Sequence, residues 1–119
     1  MAVPILRQGD VLIGSIQAAL TDAEMLSFQT ELSERVGAHR SRGVVVDVTG
    51  LDVIDSFSAR TLQGIAQTVK LRGAHTVIVG IQPEVAFAMV QLGLLLDGVS
   101  TALDLDEGMA RLKGLIGTS

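Results

Sequence analysis

The chain has no cysteine, no tryptophan and no tyrosine, and its aromatic side chains are three phenylalanines, Phe28, Phe57 and Phe87. Without cysteine there can be no disulfide, no thiolate catalysis and no cysteine-ligated zinc. Three rings cannot stack a run of bases, and a net charge of −4 opposes a phosphate backbone, so nucleic acid is not an expected partner. Long apolar runs are also missing. Val44-Val45-Val46 and Leu94-Leu95-Leu96 fall far short of the roughly 20 residues a membrane-spanning helix needs. The opening segment, with Pro4, Arg7 and Asp10, lacks the charged-then-apolar pattern of an export signal. These absences predict a soluble, cytoplasmic chain with no membrane association.

What is present is aliphatic. Apolar residues make up 48% of 119 positions, enough for one domain, residues 1–119, to bury a core without a metal or disulfide staple. Val3 to Leu6 and Val11 to Ile16 read as an opening pair of strands around a Gly9-Asp10 turn. Thr21-Asp22-Ala23-Glu24 has the form of a capping box, and Met25, Phe28, Leu32 and Val36 follow at helical spacing, with Gly37 as the expected stop. Gly43 to Val48 is β-branched without clean alternation, as expected of a strand covered on both faces. Leu62, Ile65, Ala66 and Val69 mark a second helix ending near Gly73, and Thr76 to Val79 a further buried strand. Pro83 fits the first turn of a third helix, with Ala86, Met89, Val90 and Leu92 as its inner positions and Gly93 as its end. A short strand over Val99 to Ala102 and a last helix, capped near Asp104 with Leu105, Met109, Leu112 and Ile116 inside, complete the chain. The order ββαβαβαβα predicts an α/β fold: one mixed, mainly parallel sheet with helices packed against it.

Little of this carries catalytic chemistry. His39 and His75 are the only histidines, lie in different segments, and have no metal-ligand motif around them. There is no GxSxG elbow, no GxGxxG and no phosphate-binding GxxxxGK[ST]. Asp47 ends a strand, where an aspartate can accept a phosphoryl group or bind a metal. Thr49, however, stands where an Asp-x-Asp phosphatase needs its second carboxylate, so Asp47 is expected to bond nearby backbone N–H groups instead. No cofactor, metal or enzymatic activity is expected.

One constellation remains. Asp52, Asp55, Ser56 and Ser58 precede the second helix. Asp55 or Ser56 can be a plain helix cap. A helix start also offers free N–H donors and positive dipole potential to an anion. A phosphate there adds about −1.5 to −2 charges beside two carboxylates. Two unit charges about 5 Å apart interact by roughly 3 kcal/mol at an effective dielectric of 20, enough to abolish a modest interface.

The segment Val44-Val45-Val46-Asp47-Val48-Thr49-Gly50-Leu51-Asp52-Val53-Ile54-Asp55-Ser56-Phe57, with the element order, resembles a STAS domain, the SpoIIAA-like fold of bacterial anti-sigma-factor antagonists. Asp55-Ser56-Phe57, Gly80-Ile81-Gln82-Pro83 and Thr101-Ala102-Leu103-Asp104-Leu105 are similar to the RsbS-like branch, the single-domain stressosome scaffold components, as are Pro4-Ile5-Leu6 and Ser15-Ile16-Gln17. The resemblance runs from about Val3 to Ile116. It implies co-assembly with RsbR-like STAS proteins, homo-oligomeric contacts, sequestration of an RsbT-like switch kinase, and resetting by an RsbX-like phosphatase. Carried over by position, the phosphorylated serine is Ser56, and the switch region that meets the partner is Asp52, Asp55, Ser56 and Phe57. Mobile antagonists, which capture an anti-sigma kinase when dephosphorylated, usually continue Asp-Ser with Ser or Thr and then Gly. Phe57-Ser58-Ala59 stands here and favours the scaffold branch. Ser58 is the alternative acceptor, about 200° around the helix from Ser56.

Overall fold

The computed structural model describes residues 3–93, Leu96 and 99–117; Leu94 and Leu95 of the predicted apolar run lie outside them. Its elements in order are β1 (Ile5–Gln8), β2 (Val11–Ser15), α1 (Asp22–His39), β3 (Gly43–Asp47), α2 (Ser56–Leu71), β4 (His75–Val79), α3 (Pro83–Gln91), β5 (Ser100–Ala102) and α4 (Leu105–Ile116). The five strands form one sheet in sequential order, with β1 antiparallel to β2 and every other pair parallel. The predicted element order and the mixed, mainly parallel sheet are therefore observed.

The sheet is covered on both faces, and the two-residue period of its strands sorts the side chains between them. Leu12, Val44, Val46 and Ile78 share one apolar cluster with Met25, Phe28, Leu32 and Val36 of α1 and with Leu62, Ile65 and Val69 of α2. Val11, Ile13, Val45, Val77 and Val79 point the other way and meet Leu112 of α4, with Met109 and Ile116 packed beside it. Strands buried on both faces read as continuous apolar runs, which is why β3 shows no alternation. The capping box of α1 is complete: the Thr21 hydroxyl accepts the Glu24 N–H at 3.1 Å, and Glu24 Oε1 accepts the Thr21 N–H at 2.9 Å.

Several sequence expectations shift. β1 starts two residues later than Val3 and runs through Arg7 and Gln8 to the Gly9-Asp10 turn. α1 does not stop at Gly37. It continues to His39, and Arg40 takes the left-handed cap position (φ 51°) with its N–H donating to the Val36 carbonyl. In α3 the buried side chains are Val85 and Met89, while Ala86, Val90 and Leu92 are exposed. Six consecutive apolar residues, Val85 to Val90, give that helix no phase for the sequence to reveal. Leu105, expected inside, is the exposed first residue of α4.

Candidate functional site

The four helices among the described residues all begin at the edge of the sheet where the parallel strands end. The connection from β3 to α2, residues 48–55, lies in the middle of that edge, between the loop after β2 and the loop after β4. Its path is fixed from several sides. Asp47 Oδ1 accepts both the N–H and the hydroxyl of Thr49, at 2.9 and 2.6 Å. This is the structural role expected of Asp47, and Thr49 occupies the place a second carboxylate would need. Val48 donates its N–H to the Val79 carbonyl at 3.0 Å, and Leu51 donates to the Val48 carbonyl at 2.9 Å. From the loop after β4, Gln82 Nε2 donates to the Thr49 carbonyl at 2.5 Å. From the loop after β2, the Gln17 backbone comes so close that a Cβ at Gly50 would lie 2.5 Å from its carbonyl oxygen. The sequence offered no functional reading of Gln82 or Gly50.

The loop ends in the cap of α2, and the cap is Asp55 rather than Ser56. Asp55 is in extended backbone, and its Oδ1 accepts the Ser58 N–H at 2.7 Å. That N–H, followed by the Ser58 hydroxyl, holds the Asp55 carboxyl below the ordinary aspartate pKa. Ser56 is the first helical residue and is half-buried. No hydrogen bond engages its hydroxyl among the described residues. The Ser58 N–H is used by the cap, so the N–H groups of Ser56 and Phe57 are the donors a helix start leaves without intrahelical partners.

The two serines therefore stand in different surroundings. Ser58 lines an apolar notch of about 180 Å³ together with Leu20, Met25, Val53, Ile54 and Leu62, and Ser56 does not. Asp52 and Val53 are exposed, whereas Ile54 and Phe57 are partly buried against the core. The predicted switch residues thus lie on one short stretch, with Asp52 and Asp55 exposed, Ser56 half-buried and Phe57 partly buried against the core. His39 ends α1 and His75 opens β4, both at the sheet edge away from this loop. Among the described residues no cluster of three or more His, Asp or Glu side chains could hold a metal ion. Likewise, no described helix is long and apolar enough to cross a membrane.

Known proteins share this architecture. A serine-to-glutamate variant of RsbS from Moorella thermoacetica superposes with a TM-score of 0.83 at 35% identity, covering 95% of this chain and 96% of that one. A chain from the molecular architecture of the stressosome, a signal integration and transduction hub, gives 0.79 at 33% identity, covering 97% and 100%. SpoIIAA in its unphosphorylated form matches at 0.71 with 12% identity, a likeness of fold alone. In sequence, the RsbT co-antagonist protein RsbRA of Bacillus subtilis is 38% identical over 71 residues, 60% of this chain and 26% of that protein. The chain spans about a quarter of the length of the RsbR relatives it matches. The STAS domain family matches residues 2–108. By that match, and by its five-stranded sheet with four helices among the described residues, the chain belongs to the STAS domain family, with RsbS and the stressosome among its structural neighbours.

Proposed function

We propose that this chain, as a single STAS domain over residues 1–119, is a non-catalytic stressosome scaffold protein. It co-assembles with RsbR-like STAS proteins, holds an RsbT-like serine kinase, and releases it when Ser56 is phosphorylated. An RsbX-like phosphatase resets the state. The observation that carries this reading is the free Ser56 hydroxyl at the first helical position, beside a cap already supplied by Asp55. The serine is not needed to start the helix, so its modification leaves the fold intact. A phosphate there meets unpaired N–H donors and the positive helix end, and it also crowds the Asp52 and Asp55 carboxylates with a further −1.5 to −2 charges, roughly. The surface that fitted the kinase is thereby changed without unfolding.

Asp52, Asp55, Ser56 and Phe57 form the switch region in this reading, with Phe57 anchoring it to the core and the other three facing the partner. Ser58 is disfavoured as the acceptor because its N–H is held by Asp55 and it lines the apolar notch that Ser56 does not. The test is phosphorylation by the cognate kinase, followed by intact mass. Wild type and Ser58→Ala are expected to take up one phosphate, and Ser56→Ala none. Full incorporation into Ser56→Ala would overturn the assignment, and loss only in Ser58→Ala would move the switch to Ser58. In a pull-down, Ser56→Ala is expected to retain the kinase in the presence of ATP, and Ser56→Asp to bind it weakly.

A further inference from the structure

The sheet edge opposite Ser56 carries a second constellation. There α1 closes through Arg40, and the Ser41 N–H donates to the Val36 carbonyl at 3.1 Å. α2 ends alongside at Leu71 and is followed by Arg72. Between the two helix ends lies a shallow cleft of about 310 Å³, walled by Val36, Ser41, Gly73 and three arginines, Arg40, Arg42 and Arg72. The Arg72 guanidinium reaches across from α2 to lie over Gly37 of α1, where any Cβ would collide with it. Arg42 donates one N–H to the Ile116 carbonyl at 3.3 Å. Among the described residues none of the three arginines has a carboxylate partner; the ion pairs there are Arg35–Glu31 and Arg111–Glu107. Asp10, the nearby acid, meets this corner through its backbone carbonyl, which accepts the N–H groups of Arg42 and Gly43.

Cations are favoured at helix C-termini, and that effect explains part of the cluster. Each helix end carries about half a negative charge, so two ends offset about one of the three positive charges. Ser41 adds an independent sign. It is 3% exposed, and its hydroxyl is buried with no hydrogen-bond partner. An unpaired buried hydroxyl is uncommon in a native fold and is a place to look for a bound water or ion. Dipole compensation by arginines does not call for such a donor.

We propose that this cleft binds a phosphate-type dianion, held by Arg40, Arg42 and Arg72, with the Ser41 hydroxyl as a further donor. Guanidinium forks match the oxygens of a phosphate group. The cleft lies at the small end of ligand pockets, roughly 300–1,000 Å³, and no aromatic ring lines it. It therefore reads the phosphate group of a small molecule rather than a base. The site lies at the other end of the strands from Ser56, so both can be engaged together, and the inference does not depend on the reading of Ser56.

The experiment is a thermal melt and a calorimetric titration with inorganic phosphate, against sodium chloride at matched ionic strength. The full chain is compared with Arg40→Asn/Arg72→Gln and with Ser41→Ala. Wild type is expected to show a saturable rise in Tm with phosphate and none with chloride, and the double arginine variant to lose it. Ser41→Ala is expected to weaken phosphate binding by about tenfold while melting no lower than wild type without phosphate. A phosphate response equal to the chloride response, or one unchanged in the arginine variant, would overturn the site. A Ser41→Ala variant that melts lower without phosphate yet binds it as wild type does would remove Ser41 from it.

Discussion

Asp55 is the residue on which the switch geometry turns. It caps α2 through the Ser58 N–H, and replacing it with Ala is expected to cost about 1 kcal/mol, read as a lower urea midpoint. Asp55→Asn keeps a capping oxygen and is expected to cost less at pH 7. The same hydrogen bond gives the cap a pH dependence. It holds the Asp55 carboxyl below its ordinary pKa, so between the folded and unfolded values the unfolded chain binds more protons and stability rises with pH. The contribution is complete above the ordinary aspartate value of about 3.9 and is lost as pH falls through the lower folded value. Urea midpoints from pH 6 to pH 2 are expected to show the difference between wild type and Asp55→Asn shrinking over that acid window. A difference constant with pH would show that the charge is not what the cap uses. Ser56→Ala is expected to leave the midpoint within about 0.5 kcal/mol of wild type, as for a surface position without a structural role.

At the scale of the element, α4 offers a matched pair of glycines. Gly108 is buried, and a Cβ there would lie 2.5 Å from Val79 Cγ1 on the sheet below. Gly114 is in the same helix with nothing within 4 Å of an added Cβ. Helix propensity favours alanine at both positions by up to about 1 kcal/mol. At Gly108 the collision is expected to outweigh that gain, since overpacking costs typically 1–3 kcal/mol. Gly108→Ala should therefore lower Tm and Gly114→Ala raise it slightly, a difference of sign that circular-dichroism melts can read. α1 shows how legible an element can be. Its stripe Met25, Phe28, Leu32 and Val36 is buried as the spacing indicates, and its capping box forms in full. Its far end was not legible. The left-handed cap fell on Arg40, which glycine statistics would not pick, while Gly37 stayed helical under the Arg72 guanidinium.

The whole molecule is polarised by charge. The edge that holds Ser56 carries Asp22, Asp52, Asp55, Glu84, Asp104 and Asp106, with no lysine or arginine in its loops or the first turns of its helices. The opposite edge carries Arg40, Arg42, Lys70, Arg72 and Lys113, with Asp10 of the β1–β2 turn among them. Part of this follows from topology, because every helix starts at one edge and ends at the other, and acids and bases sort along helix dipoles accordingly. A partner that docks at the Ser56 edge through a basic face meets an attractive negative field, so its association rate is expected to fall steeply as salt rises from 50 to 300 mM, roughly, while the Debye length shrinks. Stopped-flow binding of the kinase would measure this, and a rate indifferent to salt would argue for docking elsewhere. The scaffold reading adds an expectation of size. Light scattering of this chain mixed with an RsbR-like STAS protein should show a large hetero-oligomer, and a strictly monomeric mixture would count against co-assembly.

The sequence by itself determined the order of the elements, the burial of β3 on both faces, and the position of Asp55-Ser56 at a helix start. These depend on periodicity and capping chemistry among residues a few positions apart, which any single stretch of chain displays. The tertiary structure alone decided which of Asp55 and Ser56 is the cap, which of Ser56 and Ser58 lines the apolar notch, and which side of α3 and of the start of α4 is buried. It also placed Gln82 on Thr49, 33 residues away in sequence, and gathered Arg40, Arg42 and Arg72 around Ser41. Such contacts arise where parallel strands bring the ends of distant elements side by side, and no local pattern in the chain encodes which ends will meet.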